Sequence, residues 1–139
     1  MNALLQQNSH LPVTVLAFPC NQFGLQEPGK NDEIINGIKY VRPGHGYVPD
    51  EKIYFFSKTK VNGMNENPLF SNVKESCPPT KDTIGDTNDM YWNPIKSTDL
   101  TWNFNKFLLD KQGIPRFRFG SSPNATELLP WILDLVAED

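Results

Sequence analysis

Val13-Thr-Val-Leu-Ala-Phe18 is a short, uniformly apolar and largely β-branched run. Such a run is typical of a strand buried on both faces, as in the parallel sheets of α/β proteins. Residues 1–8, which precede it, are rich in good helix formers and end before Leu11-Pro12. Helix, proline-containing turn and buried strand together predict half of a βαβ unit, and the strand that would precede the helix is missing.

The segments after this strand predict further helices and strands. Residues 31–37 begin with acids and end at a glycine, which indicates a short helix, and residues 52–56 form a strand candidate. Residues 67–75 predict another helix with Pro68 at its first position, where a missing N–H costs nothing. Because no linker, internal repeat or low-complexity tract divides the chain, we expect one domain over residues 1–139.

The C-terminal third predicts a hairpin followed by a helix. Strand candidates at residues 100–109 and 114–119 flank a four-residue turn containing a glycine, which favours an antiparallel hairpin. An amphipathic helix follows over about residues 122–136, and Pro130 fits it only if the helix starts near Thr126. The predicted fold class is therefore α/β, with a mixed sheet that includes a C-terminal antiparallel hairpin and is followed by a helix.

Composition excludes several classes of protein. The chain has 139 residues, 38% of them hydrophobic and 12% aromatic, which suits one core; the apolar residues are too dispersed for a membrane span. Thirteen basic and sixteen acidic residues give a net charge of −3, so nucleic acid is not an expected partner. Cys20 and Cys77 are too few for a disulfide framework, and no CxxC pair indicates a metal site.

Two motifs carry side-chain N–H donors at the ends of predicted strands. Phe18-Pro-Cys-Asn-Gln-Phe-Gly24 follows the buried strand directly, where open α/β sheets place their sites, and it contains Asn21 and Gln22. Trp102-Asn103 places an indole N–H and a carboxamide together on a predicted strand. Taken alone, the spacing favours turn capping by the amides and core packing by the tryptophan over ligand binding.

The same two motifs, extended to Pro28 and to Phe107, resemble two signatures of the glutathione peroxidases. Further segments match the family in the same order: residues 39–49, Val61-Asn-Gly63, Ser76-Cys-Pro-Pro79 and Gly113-Ile-Pro-Arg-Phe-Arg-Phe119. The resemblance covers essentially the whole chain and is closest to the selenium-dependent group that includes extracellular enzymes. It implies a thioredoxin-like fold and an oxidoreductase that reduces hydrogen peroxide and organic hydroperoxides with glutathione, in the response to oxidative stress.

The resemblance also implies the site residues. The family's chemistry resides on a selenocysteine or cysteine surrounded by three donors, which correspond here to Gln22, Trp102 and Asn103. Three neutral N–H donors aimed at one chalcogen stabilise its anion and lower its pKa. In the family this nucleophile lies upstream of the segment that matches residues 1–5, so we expect the chain alone to be inactive. Cys20 belongs to the family signature and is expected to be a buried, inert thiol.

The reductant implied by the resemblance is glutathione, acting as a co-substrate with no other cofactor. Residues 35–40 occupy the stretch in which thioredoxin-dependent relatives carry a resolving cysteine, and they contain none. Because glutathione carries two carboxylates, arginines are the expected binding residues, and Arg42 and Arg118 match family arginines. The family often has another basic residue shortly after Arg118; here Arg116 is the candidate to replace it.

Assembly, location and an alternative function complete the expectations. Residues 40–49 resemble a loop that tetrameric members use at a subunit contact, so we expect a homotetramer for the intact protein. The same resemblance implies secretion, with the cytoplasm as the alternative, and Asn124-Ala-Thr126 fits the N-glycosylation triplet. The competing functional hypothesis is a non-catalytic thioredoxin-fold protein that binds a partner rather than turning over a substrate.

Overall fold

The computed structural model describes residues 1–138 and shows a chain of mixed helices and strands. The helices in this range are α1 (Asn2–Gln7), α2 (Asn31–Tyr40), α3 (Pro68–Ser76) and α4 (Leu129–Ala137). The strands are β1 (Val15–Ala17), β2 (Ile53–Phe55), β3 (Lys106–Leu109) and β4 (Pro115–Phe119). Short 3₁₀ helices lie at Thr87–Asp89 and Thr126–Leu128. Within residues 1–138 no helix is both long and apolar enough to cross a membrane.

The strands pair as two separate two-stranded sheets. β1 and β2 are parallel, with Leu16 opposite Tyr54, and β3 and β4 are antiparallel, with Lys106 opposite Phe119. The predicted hairpin and C-terminal helix are therefore confirmed. The mixed sheet is divided into a parallel and an antiparallel part, because no strand in the described chain is hydrogen-bonded between β1 and β3.

The segment before β3 differs from the prediction of a strand over residues 100–109. Phe104 has a φ of 58°, and the Asn105 side chain donates to the Trp102 carbonyl at 2.6 Å. These features close a turn, so β3 begins only at Lys106. The prediction that Trp102 and Asn103 lie on a strand is wrong, because a non-glycine residue in the left-handed region cannot continue an extended backbone.

Local signals explain where α3 and α4 begin. Asn67 caps α3 by accepting a hydrogen bond from the Leu69 N–H at 2.9 Å, and Pro68 occupies the first helical turn as predicted. α4 is preceded by a 3₁₀ turn from Thr126, and Pro130 lies in its first turn. The helical segment therefore begins near Thr126, as Pro130 requires, and not at about residue 122 as predicted.

Two apolar clusters form the buried core. Leu4, Leu11, Leu128 and Ile132 pack together and join α1 to α4. The second cluster lies beneath the two donor motifs and contains Cys20, Phe23, Val61 and Leu100. The residues around the predicted site therefore have a core of their own.

The parallel sheet is not buried on both faces, contrary to the prediction for its first strand. Leu16 is 50% exposed and its neighbour across the sheet, Tyr54, is 55% exposed. Val15 and Ala17, which point to the other face, are half-buried. In the described chain, one face of this sheet thus leaves apolar side chains in contact with solvent.

Replacing the α3 cap tests the origin of this helix. Asn67→Ala removes the side-chain acceptor of the Leu69 N–H, and we expect the free energy of unfolding to fall by about 1 kcal/mol. Urea unfolding followed by circular dichroism measures the change. Asn72→Ala on the exposed side of the same helix is the control; an equal loss in both variants would contradict the assignment of Asn67 as a cap.

Candidate functional site

Gln22 follows β1 and is held by the backbone of a distant turn. Its Oε1 accepts hydrogen bonds from the N–H groups of Val61 at 2.8 Å and Asn62 at 3.1 Å. Its Nε2 donates to the Asn62 carbonyl at 2.9 Å, and the residue is 9% exposed. Since a carboxamide oxygen accepts and its nitrogen carries two N–H groups, these contacts fix the orientation of the amide.

Trp102 and Asn103 lie against the rest of the first motif. The Trp102 ring is 6.3 Å from the Phe23 ring, and Asn103 Nδ2 donates to Gln26 Oε1 at 3.3 Å. Gly24 has a φ of +60°, and a Cβ at this position would lie 3.4 Å from Trp102 Cη2. The absence of a side chain at this glycine therefore allows both the turn and the close approach of the indole.

The structure brings the two motif segments into contact but gives their side chains different environments. Gln22 is buried, whereas Trp102 is 42% exposed and Asn103 is partly exposed. The neighbouring amide of Asn21 is engaged within its own segment, since its Oδ1 accepts the Glu27 N–H at 2.9 Å. The role of Gln22, Trp102 and Asn103 as donors to a chalcogen remains a prediction.

A buried asparagine that the sequence did not single out connects the same segments. Asn62 Nδ2 donates to the Leu100 carbonyl at 2.9 Å, and Asn62 Oδ1 accepts the Leu100 N–H at 3.0 Å. With 1% exposure, Asn62 is completely enclosed. The only signal in the sequence was its place in Val61-Asn-Gly63, one of the segments that match the family.

Lys74 places a positive charge in the same buried region. Its ammonium donates to Asn62 Oδ1 at 3.1 Å, to Asp99 Oδ1 at 2.9 Å and to Glu66 Oε2. Asp99 Oδ2 accepts the Trp92 indole N–H at 2.8 Å, so both oxygens of this carboxylate are occupied. A lysine that is 1% exposed requires such partners, because an unpaired buried charge is strongly destabilising.

The three candidate arginines lie in different surroundings. Arg118 is half-buried and donates to the carbonyls of Thr98 at 3.0 Å and Asp99 at 3.1 Å, and burial lowers the pKa of its guanidinium. Arg116 is exposed and forms ion pairs with Glu138 and Asp110. Arg42 is exposed in the loop after α2. No hydrogen bond among residues 1–138 joins these three side chains.

The two cysteines are buried thiols, as expected for Cys20. Cys20 Sγ lies 3.5 Å from Gln22 Oε1, and burial raises the pKa of this thiol. Burial likewise raises the pKa of Cys77. Both thiols are therefore protonated at neutral pH, which is unfavourable for a nucleophile. In the described part of the chain, no three His, Cys, Asp or Glu residues cluster as a metal site.

Comparison with known proteins identifies the family. The family model for glutathione peroxidase matches residues 1–74, more than half of the chain. The chain belongs to the glutathione peroxidase family. Glutathione peroxidase 3 of Caenorhabditis elegans and the cuticular glutathione peroxidase of Wuchereria bancrofti are each 47% identical over 139 residues. Glutathione peroxidase 6 of the mouse is 51% identical over 119 residues, which are 86% of this chain and 53% of the relative.

The alignment with the two nematode relatives covers 99% of this chain and 62% of each relative. The crystal structure of Trgpx in its apo form superposes with a TM-score of 0.62 at 22% identity, covering 99% of this chain and 68% of that one. The crystal structure of T. cruzi GPX1 gives 0.59 at 24% identity, covering 97% and 67%. These likenesses confirm the thioredoxin-like fold predicted from the motifs.

The glutamate beside Lys74 predicts a defined acid sensitivity. Burial alone would raise the pKa of Glu66, but hydrogen bonds from Lys74, Lys96 and Ser71 outweigh it and lower the pKa from 4.5 to about 2. A carboxyl group with a depressed pKa stabilises the folded state above its ordinary pKa, and the contribution is lost as the pH falls through the lowered value. We therefore expect the free energy of unfolding to decrease between about pH 4.5 and about pH 2.

Glu66→Gln isolates this contribution. The variant should be less stable than the parent near neutral pH and lose less stability on acidification, measured by urea unfolding at about pH 6 and about pH 3. Glu75→Gln, an exposed glutamate on α3, is the control. An unchanged pH dependence in Glu66→Gln would show that the network does not hold this carboxylate ionised.

Proposed function

We propose that the intact protein is a glutathione-dependent peroxidase that reduces hydrogen peroxide and organic hydroperoxides. The observation that carries the proposal is the contact between the two motif segments. The Trp102 ring lies near the Phe23 ring, and the Asn103 side chain donates a hydrogen bond to Gln26. Family membership supports the same activity. The buried amide of Gln22 lies at the base of this contact, beside Cys20 and Val61.

The proposed chemistry is a two-electron reduction at a selenium or sulfur nucleophile. The anionic nucleophile attacks one peroxide oxygen, the O–O bond breaks, and the departing oxygen takes a proton to leave as water or alcohol. The resulting selenenic or sulfenic acid is reduced by two glutathione thiols, which release water and form glutathione disulfide. In this scheme Gln22, Trp102 and Asn103 donate N–H groups to the anion, each contributing about 1.5–3 kcal/mol.

Arg42 and Arg118 are the proposed contacts for the carboxylates of glutathione. Arg118 lines a cavity of about 150 Å³ together with Lys81, Asp82 and Asp99, and none of the ion pairs within residues 1–138 includes Arg118. Arg42 is exposed. Arg116 would first have to leave Glu138 and Asp110, which makes it the weakest of the three candidates.

The activity test compares the chain alone with the chain preceded by the N-terminal segment of the C. elegans relative, with cysteine or selenocysteine as nucleophile. We expect peroxide-dependent oxidation of glutathione only in the extended protein. Gln22→Ala and Asn103→Ala should each slow the reaction with peroxide by about ten- to hundredfold. Asn21→Ala, which removes a neighbouring amide that caps the Glu27 N–H, should have little effect.

Two outcomes would contradict the proposal. A folded extended protein without turnover would favour the non-catalytic interaction protein. Turnover by the chain alone that Cys20→Ser abolishes would show that the nucleophile has been wrongly assigned.

The proposed location is extracellular. Two of the nematode relatives are named cuticular glutathione peroxidases, and another is glutathione peroxidase 3. Asn124, the candidate glycosylation residue, is exposed, and its Oδ1 accepts hydrogen bonds from Thr126 and Glu127 at the start of the last helix. The carboxamide oxygen is therefore engaged by backbone N–H groups at the 3₁₀ turn that precedes α4.

We further propose that residues 40–49 form a subunit contact of a homotetramer. Tyr40, Val41 and Val48 are 65%, 79% and 67% exposed, which places apolar side chains at the surface of this loop. Tyr47 Oη donates to Asn2 Oδ1 at 2.7 Å, so the loop is anchored to α1. An ordered loop loses little conformational entropy on association, which favours its use as a contact.

Sedimentation equilibrium of the extended protein tests this contact. Deleting residues 42–48, or introducing Val41→Lys with Val48→Lys, should reduce the mass in solution from tetramer to smaller species. Leu25→Lys, at a residue 52% exposed elsewhere, is the control. A tetramer that persists in both loop variants would rule out this loop as the contact.

A further inference from the structure

Asn62 makes hydrogen bonds to both segments that carry the predicted donors. Its backbone N–H and carbonyl hold the two ends of the Gln22 amide, at 3.1 Å and 2.9 Å. Its side chain holds both backbone groups of Leu100, at 2.9 Å and 3.0 Å. Leu100 lies two residues before Trp102, so one residue links the first donor to the segment of the other two.

The surroundings of Asn62 leave it little freedom to move. Its Oδ1 also accepts a hydrogen bond from the buried ammonium of Lys74 at 3.1 Å. Gly63, which follows, has a φ of +87°, and a Cβ there would lie 3.1–3.3 Å from atoms of Trp92 and Asn93. The backbone groups of Asn62 that hold Gln22 are therefore fixed by the hydrogen bonds of the Asn62 side chain and by the packing of Gly63.

The link acts on orientation rather than on contact with substrate. Because Oε1 of Gln22 is engaged by the N–H groups of Val61 and Asn62, and one N–H of Nε2 is donated to the Asn62 carbonyl, the second N–H of Nε2 is what remains to donate. A shift of Asn62 would rotate this amide and, through Leu100, displace the turn that carries Trp102 and Asn103. A positioned site depends on supporting residues of this kind, since errors of about 0.5 Å already matter.

We propose that Asn62 is a positioning residue of the peroxidase site, setting Gln22 relative to Trp102 and Asn103. The inference rests on the proposed function for its effect on catalysis. The coupling between the two segments, in contrast, is a property of the chain itself and is measurable without turnover.

Two variants separate positioning from general stability. Asn62→Ala removes every side-chain contact of Asn62, whereas Asn62→Asp keeps the shape and the acceptor but loses the Nδ2 donor to Leu100. Asn67→Ala is the matched control, because it weakens the cap of α3 and touches neither donor segment. Asn62→Asp keeps the test decisive if Asn62→Ala does not fold.

The first measurement uses the chain as it is. In ¹⁵N-resolved NMR spectra, the Gln22 side-chain amide and the Trp102 indole N–H signals should both shift in the Asn62 variants and stay in place in Asn67→Ala. Movement of the Gln22 signal without the Trp102 signal would overturn the proposed coupling.

The second measurement uses the extended protein. Asn62→Asp should slow the reaction with peroxide by about ten- to hundredfold and raise the apparent pKa of the nucleophile in the pH–rate profile. The KM for glutathione should stay unchanged, and Asn67→Ala should alter none of these values. Equal effects of Asn62→Asp and Asn67→Ala would reduce Asn62 to a structural residue.

The two measurements distinguish failure of the proposed function from failure of the positioning role. An extended protein that has no turnover before any substitution would refute the proposed function, while the NMR result would still decide whether Asn62 couples the two segments. Normal turnover in a folded Asn62 variant would refute the positioning role and leave the proposed function intact.

Discussion

The arrangement of the candidate site depends on the hydrogen bonds and ion pairs that the buried ammonium of Lys74 forms. It ties α3 to the turn that precedes this helix, through Asn62 and Glu66, and to the segment before Trp102, through Asp99. Replacing a buried ion pair with apolar residues often leaves a protein as stable, whereas removing one partner costs about 3–5 kcal/mol. Neither segment can therefore move away from Lys74 without leaving a buried charge unpaired.

The two apolar clusters stabilise different parts of the protein: one joins the two ends of the chain, and the other supports the site. Leu4 and Leu11 pack on Leu128 and Ile132, which closes the two ends of the chain on each other. The cluster around Phe23 and its neighbours instead packs beside the polar network and supports the motif segments. Opening of the terminal cluster can therefore occur without direct loss of the contacts around Gln22, since local opening follows such contiguous units.

Local sequence signals predicted the helices and strands. Features that depend on the rest of the fold were not predicted. Pro68, Pro130 and the hairpin turn act within a few residues, so the starts of α3 and α4 and the hairpin were predictable. The predicted start of the strand at residue 100 was wrong because Phe104 adopts a left-handed conformation that no residue preference indicates. The hydrophobic pattern of a strand also does not show whether the rest of the protein covers both of its faces. Leu16 is exposed although its strand was predicted to be buried.

The candidate site, too, was predicted only in part from the sequence. The motifs placed Gln22, Trp102 and Asn103 in two segments, and the structure shows these segments in contact. Asn62 and Lys74 escaped notice because their partners lie 38 and 25 residues further along the chain. A lysine on an amphipathic helix normally faces solvent, so only the fold shows that this one is buried. The same burial of Asn62 also governs how the protein ages chemically.

Asn62 is followed by Gly63, and an asparagine before glycine is prone to deamidation because no side chain obstructs the following nitrogen. In an unfolded chain, that nitrogen attacks the Asn62 Cγ and expels ammonia, and the cyclic imide then opens with water to aspartate or isoaspartate. In the folded protein the carboxamide is held by Leu100 and Lys74, and the backbone at Gly63 is fixed by its packing. The rate of this irreversible damage at Asn62 is thus set by how often the protein opens.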